Sequence, residues 1–165
     1  MRDWKMIISA TVLTIAMVSQ IILSFSLYNK TGLQVLRHIG CIVWAFSVFF
    51  GCLPIFTFRS KGKVPKGKSY IRTTVLVDSG IYAIVRHPQF LAGIMFSLTL
   101  TLIVQHWLIS ILGIVAIMIL YKDITEADKS GVEKFGDDYI HYMQRVPRMN
   151  FLAGIIRLIR YGKRK

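Results

Sequence analysis

The sequence predicts an all-α integral membrane protein: four transmembrane helices, a cytoplasmic C-terminal helical region, and a short interfacial or fifth helix near the end. Three observations carry this. Apolar residues make up 54% of the 165-residue chain and its mean hydropathy is +0.54, values that a soluble domain of this size rarely combines. The formal net charge is +13. Those charges cluster in short regions around long uncharged stretches, a pattern a bilayer imposes because a charge at its centre costs several kcal/mol.

The first span runs from Met6 to Leu27 and the second from Ile39 to Phe58, both uncharged and near the ~20 residues that cross a hydrocarbon core. Ser9, Ala10, Ala16 and Ser19 give the first span small faces for close packing. Arg2 and Lys5 precede it as in a signal peptide, but its apolar run is longer than a signal core and it is expected to be retained. Asn29-Lys30-Thr31-Gly32 is a turn, and Pro54 is placed to kink the second span or mark its end. A basic loop follows from Arg59 to Arg86, punctuated by Gly62, Pro65 and Gly67.

The third span, Gln89 to Gln105, and the fourth, Trp107 to Tyr121, are joined by almost nothing, so they form a tight hairpin with Trp107 as an interfacial anchor. The fourth helix is expected to run on past Tyr121. Lys122 to Tyr142 reads as polar helix, with breaks near Gly131 and at Phe135-Gly136. Phe151 to Ile159 interleaves apolar residues with Arg157 and is too short to cross alone, which suits an interfacial helix. The whole chain reads as one membrane domain, with 6–58 as the first two spans.

Nineteen of the twenty-one Lys and Arg fall on the side shared by the N-terminus, the 59–86 loop and the tail. The positive-inside rule then places both termini in the cytoplasm. The basic residues flank apolar spans and form no soluble basic face, which argues against nucleic acid and favours anionic lipid headgroups as partners. Cys41 and Cys52 would lie about 16 Å apart along one helix and cannot bridge.

Polar residues gather in two places at the cytoplasmic ends of the last two spans, which is where a membrane protein places a site. In Arg86-His87-Pro88, the proline suits a first helical turn. Arg86 and His87 then sit beside unpaired backbone N–H groups, an arrangement that suits a carboxylate or phosphate and equally suits snorkelling to lipid phosphates. The second place holds Asp123, Glu126, Asp128, Glu133, Asp137 and Asp138, six of the eight acids. They could balance the basic loop or bind hydroxyls or an ammonium group. His38, His87, His106 and His141 show no metal-ligand spacing, and no metal is predicted.

Gly80-x-Tyr82 followed by Arg86-His87-Pro88-Gln89-Phe90 resembles the G-x-Y…R-H-P-x-Y signature of the isoprenylcysteine carboxyl methyltransferase and phospholipid methyltransferase superfamily. Phe135-Gly136-Asp137-Asp138-Tyr139-Ile140-His141-Tyr142, with Val146-Pro147, resembles its second signature. The likeness covers about 74–147, including the hairpin between the signatures, and marks that stretch as a methyltransferase-like core. It implies an S-adenosylmethionine-dependent membrane methyltransferase acting on a lipid-soluble acceptor that enters from the bilayer, with S-adenosylhomocysteine as product. By position, Leu76, Val77, Tyr82, Arg86, His87, Pro88, Gln89, Phe90, Tyr139 and Tyr142 would form the cofactor pocket. Phe90 stands where the family has Tyr. The family's Arg and Glu, four residues apart, fall on Asp123 and Ala127; a one-residue shift offers Lys122 and Glu126 on one helix face as the acceptor-handling pair. An isoprenylcysteine carboxylate is the first expected acceptor and a phospholipid amine the second. A reductase on a related scaffold using a nicotinamide cofactor, and a non-catalytic membrane protein, are the readings from other classes.

Overall fold

The computed structural model describes residues 2–61 and 75–162, and these are helical with no strand among them. Most of the basic loop, including Lys63, Lys66, Lys68 and Arg72, and the final Lys163, Arg164 and Lys165 lie outside the described residues. The elements are α1 (Arg2–Ser26), α2 (Gln34–Lys61), a 3-10 helix (Gly80–Ala83), α3 (Pro88–Val104), α4 (Trp107–Phe135), α5 (Asp137–Arg145) and α6 (Phe151–Gly162).

Among the described residues, three helices are long and apolar enough to cross a membrane: Trp4–Ser26, Gln34–Ser60 and Trp107–Phe135. The expected third span, α3, is a shorter apolar helix of 17 residues. Neither Pro54 nor Gly131 ends its helix. The second helix passes through Pro54, whose side chain is fully buried, and continues to Lys61. The fourth passes unbroken through Gly131 and ends at Phe135. Gly131 serves close packing there, not a turn: a Cβ on it would lie 2.4 Å from the Tyr139 ring. The break at Gly136 does form, with φ at +57°, a conformation open to glycine at little cost.

The chain divides into two compact units. The first comprises Met1–Val48 and Ala92–Thr125. It is held by small residues and sparse polar bonds, as apolar helices lacking a hydrophobic driving force between them require. Gln20 is fully buried and donates Nε2 to the carbonyls of Ser97 and Ile109, both at 3.1 Å. Ser47 donates to the Ala92 carbonyl at 2.9 Å, and Ser9 to Asp123 Oδ1 at 2.7 Å. Gln105, at φ +53° in the α3–α4 link, exchanges two side-chain bonds with the Leu33 backbone.

The second unit comprises Phe49–Leu91 and Glu126–Lys165. Its centre is a junction between two stretches far apart in sequence. The Arg86 N–H donates to the Pro147 carbonyl at 3.1 Å and the His87 N–H to the Arg148 carbonyl at 3.3 Å. Those four residues lie within four positions of the ends of the 3-10 helix and α5, so the junction fixes where both short helices sit. Gly80, at φ +64°, starts the 3-10 helix against the Thr57 side chain.

Candidate functional site

The second unit contains a cavity of about 320 Å³. Its walls come from four places: Phe58 on α2; Leu76, Val77 and Tyr82 around the 3-10 helix; Arg86 to Phe90 at the start of α3; and the facing sides of α4 and α5. All ten residues expected at a cofactor pocket line it. Sequence reasoning missed Ala127, Ser130, Gly131 and Lys134, which also line it. Their spacing of i, i+3, i+4 and i+7 is one face of α4, a signal that could have been read.

The aromatic walls are ordered by contact. Phe58 stacks on Tyr82 at 4.5 Å between centroids, and Phe135 on Tyr139 at 6.5 Å. Tyr142 meets Tyr139 edge to face at 5.6 Å and donates its hydroxyl to the Tyr82 carbonyl at 2.7 Å. That last bond ties the two signatures together a second time. Burial, and then the charge of Asp128, push the Tyr139 phenol above its ordinary value. Burial, and then the neighbouring Tyr139, do the same for Tyr142. Both phenols are therefore neutral hydrogen-bond donors across the physiological range.

Behind this wall sits a buried charge cluster centred on Asp128, which is 3% exposed. Its Oδ1 takes Arg86 at 3.1 Å, His87 Nε2 at 2.7 Å and the Tyr139 hydroxyl at 3.1 Å, while Arg148 Nε lies 2.9 Å from Oδ2. Two guanidiniums and an imidazole around one carboxylate leave the locality electropositive. Arg86 Nε is buried and has no hydrogen-bond partner. The sequence left Asp128 among six acids that could balance the basic loop or bind hydroxyls or an ammonium group. Counting by fours would have separated it: Leu120, Ile124 and Asp128 are all buried, so Asp128 ends an apolar stripe.

The two residues expected to handle the acceptor are not among those lining the cavity. Glu126 pairs with Lys129 at 2.8 Å on a partly exposed face, and Lys122 is exposed in the first unit. Ala127, the place where the family carries Glu, does line it.

With this geometry in view, residues 65–131 match the model of the isoprenylcysteine carboxyl methyltransferase (ICMT) family. Over that stretch the chain is similar to the ICMT family. Relatives described as protein-S-isoprenylcysteine O-methyltransferase, from Mus musculus, Rattus norvegicus and Homo sapiens, are each 28% identical over 85 residues. That alignment covers 50% of this chain and 30% of each relative. The chain thus spans about a third of the length of the ICMT relatives it matches. The ICMT match takes in the first signature and α4 through Gly131, and stops short of the second signature.

Proposed function

We propose that the protein is a membrane methyltransferase that binds S-adenosylmethionine in the cavity of its second unit and methylates a lipid-soluble acceptor resembling an isoprenylcysteine carboxylate. One observation carries the proposal: two signature segments about fifty residues apart converge on a single cavity, joined by the 86–87 to 147–148 backbone bonds. The family match to 65–131 supports it.

The residues fit the donor. The cavity is within the size range of small-molecule sites and is mostly apolar with a few convergent polar groups. The stacked Tyr82 and Tyr139 rings suit a purine face. The unpartnered Arg86 Nε and the first turn of α3 suit the carboxylate of the methionine part. When bound, S-adenosylmethionine supplies a methyl group on a sulfonium, already activated for displacement. The protein's own task is then to orient the donor and exclude water. His87, held by Asp128, fixes one part of the wall, and the Tyr142–Tyr82 bond fixes another. On the acceptor side, Lys122 would attract a carboxylate or phosphate and Glu126 would hold or deprotonate an amine. The expected topology places the cavity and both termini on the cytoplasmic side, with anionic headgroups around the basic segments.

One observation favours a phospholipid amine as acceptor instead. A second cavity, sharing Leu76 and Phe135 with the first, is lined by Asp78, Asp138, His141 and Arg145. Carboxylates suit an ammonium and a guanidinium suits a phosphate. Radiolabelled S-adenosylmethionine supplied with native membranes, followed by analysis of the labelled product, separates the two. Base-labile methyl ester on a prenylated cysteine supports the first acceptor, and label in a phospholipid headgroup supports the second. Absence of any labelled lipid or protein contradicts both.

A further inference from the structure

The last helix, α6, is amphipathic the wrong way round for a helix packed on a protein. Leu152, Ile155, Ile156 and Ile159 share one face by their spacing of three and four, and all are exposed, Leu152 at 60%. The inward face carries Phe151, Gly154 and Arg157. Phe151 meets the Phe50 ring at 5.4 Å. Gly154 is buried against the Ile84 carbonyl so closely that a Cβ would lie 2.0 Å from its oxygen. Arg157 donates to two backbone carbonyls: Arg145 at 2.7 Å, and Ala83.

Those two carbonyls are the last of α5 and the last of the 3-10 helix, where helices leave C=O groups without intrahelical partners. One guanidinium therefore caps both short helices, and those helices carry Tyr139, Tyr142 and Tyr82 into the cavity. Arg157 itself touches nothing in the cavity. A planar fork presents several donors in a fixed, spread geometry that can serve two acceptors at once, whereas a lysine offers its three from a single compact point.

We infer that α6 is a membrane-docking clamp: its outer apolar face lies in the surface of an anionic bilayer while Arg157, on its inner face, holds the 3-10 helix and α5 in the arrangement that shapes the cavity. The occupant of the outer face is lipid because the same chain carries three helices fit to cross a membrane, and because Arg160 and the following Lys163, Arg164 and Lys165 complement anionic headgroups. The docking and the clamp stand independently of the proposed activity. Their consequence, that membrane engagement tunes donor binding, rests on it.

The test uses the full chain in vesicles of phosphatidylcholine and phosphatidylserine, with Cys41 and Cys52 replaced by Ala. A nitroxide is attached at Ile156→Cys. The label should be open to oxygen and shielded from a water-soluble nickel chelate. Exposure of 156 to the chelate, or shielding of 156 from both reagents as in a contact with a second copy, overturns the docking. The clamp is read by hydrogen exchange at the Ile84, Val85 and Val146 amides, which bond within the last turns of the two short helices. Arg157→Ala should speed their exchange about tenfold, and Arg157→Lys, which keeps the charge, should do nearly the same. Unchanged exchange in both variants overturns the clamp whether or not S-adenosylmethionine binds.

Discussion

Asp128 Oδ1 lies 2.7 Å from His87 Nε2, and the two side chains are 5% and 8% exposed. This contact joins α4 to the residue just before α3 and orients an imidazole that lines the cavity. Among the described residues, Asp128 is the carboxylate that pairs with both Arg86 and Arg148, so its removal strands buried positive charge. Asp128→Asn should cost about 3–5 kcal/mol of stability, the range for breaking a buried pair. Thermal unfolding in detergent checks this, and Asp128→Glu should recover only part of the loss.

Gly131 faces the Tyr139 ring with no room for a methyl group. Gly131→Ala must displace that ring, which lines the cavity. Donor affinity should fall about tenfold, equivalent to about 1.4 kcal/mol, with little change in helix content. Equilibrium binding beside circular dichroism separates the two effects.

Tyr142 donates to the Tyr82 carbonyl from a site that is 2% exposed. Tyr142→Phe keeps the ring and leaves a buried carbonyl without its partner. The expected loss is about 1–3 kcal/mol, measured by denaturant or thermal unfolding, and hydrogen exchange at the 3-10 helix should rise.

The two buried phenols also set an alkaline limit. Their folded-state pKa values are raised above the free tyrosine value of about 10. The folded protein therefore keeps protons that the unfolded chain would release. Their contribution to stability is complete below about pH 10 and is lost as pH rises towards the folded values. Stability measured against pH should be flat with respect to these groups until about pH 10 and then decline, and phenolate absorbance from them should appear only with unfolding.

Lys122→Ala and Glu126→Ala should lower methyl transfer while leaving donor binding unchanged, since neither side chain lines the cavity. Reduced donor affinity in either variant would place them at the donor instead. Initial rates measured beside equilibrium binding make the distinction.

Much of this site could be read from residue types alone. Pro88 starts α3, Gly136 ends α4, and the two signatures meet, because each rests on local chemistry that a sequence displays: a missing N–H, a positive φ, a recurring motif. The rest depended on burial. Asp128 stands in a run of acids open to charge balance or to polar binding, and only its register with Ile124 and Leu120 turns it inward. Gly131 suggests a break on propensity grounds, yet the Tyr139 ring needs that space and packing decides. Pro54 is tolerated inside α2, where tertiary burial outweighs a lost backbone bond. Arg157 looked like one more basic residue on an interfacial helix, and nothing in its neighbours announces the two carbonyls it reaches.

The most direct test of the central claim is equilibrium binding of S-adenosylmethionine to the detergent-purified full chain, run beside reduced nicotinamide dinucleotide and repeated with His87→Ala. Saturable S-adenosylmethionine binding that weakens at least tenfold in His87→Ala, with no nicotinamide binding, is the predicted result. Binding of the nicotinamide alone, binding of neither ligand, or an unchanged affinity in His87→Ala would contradict it.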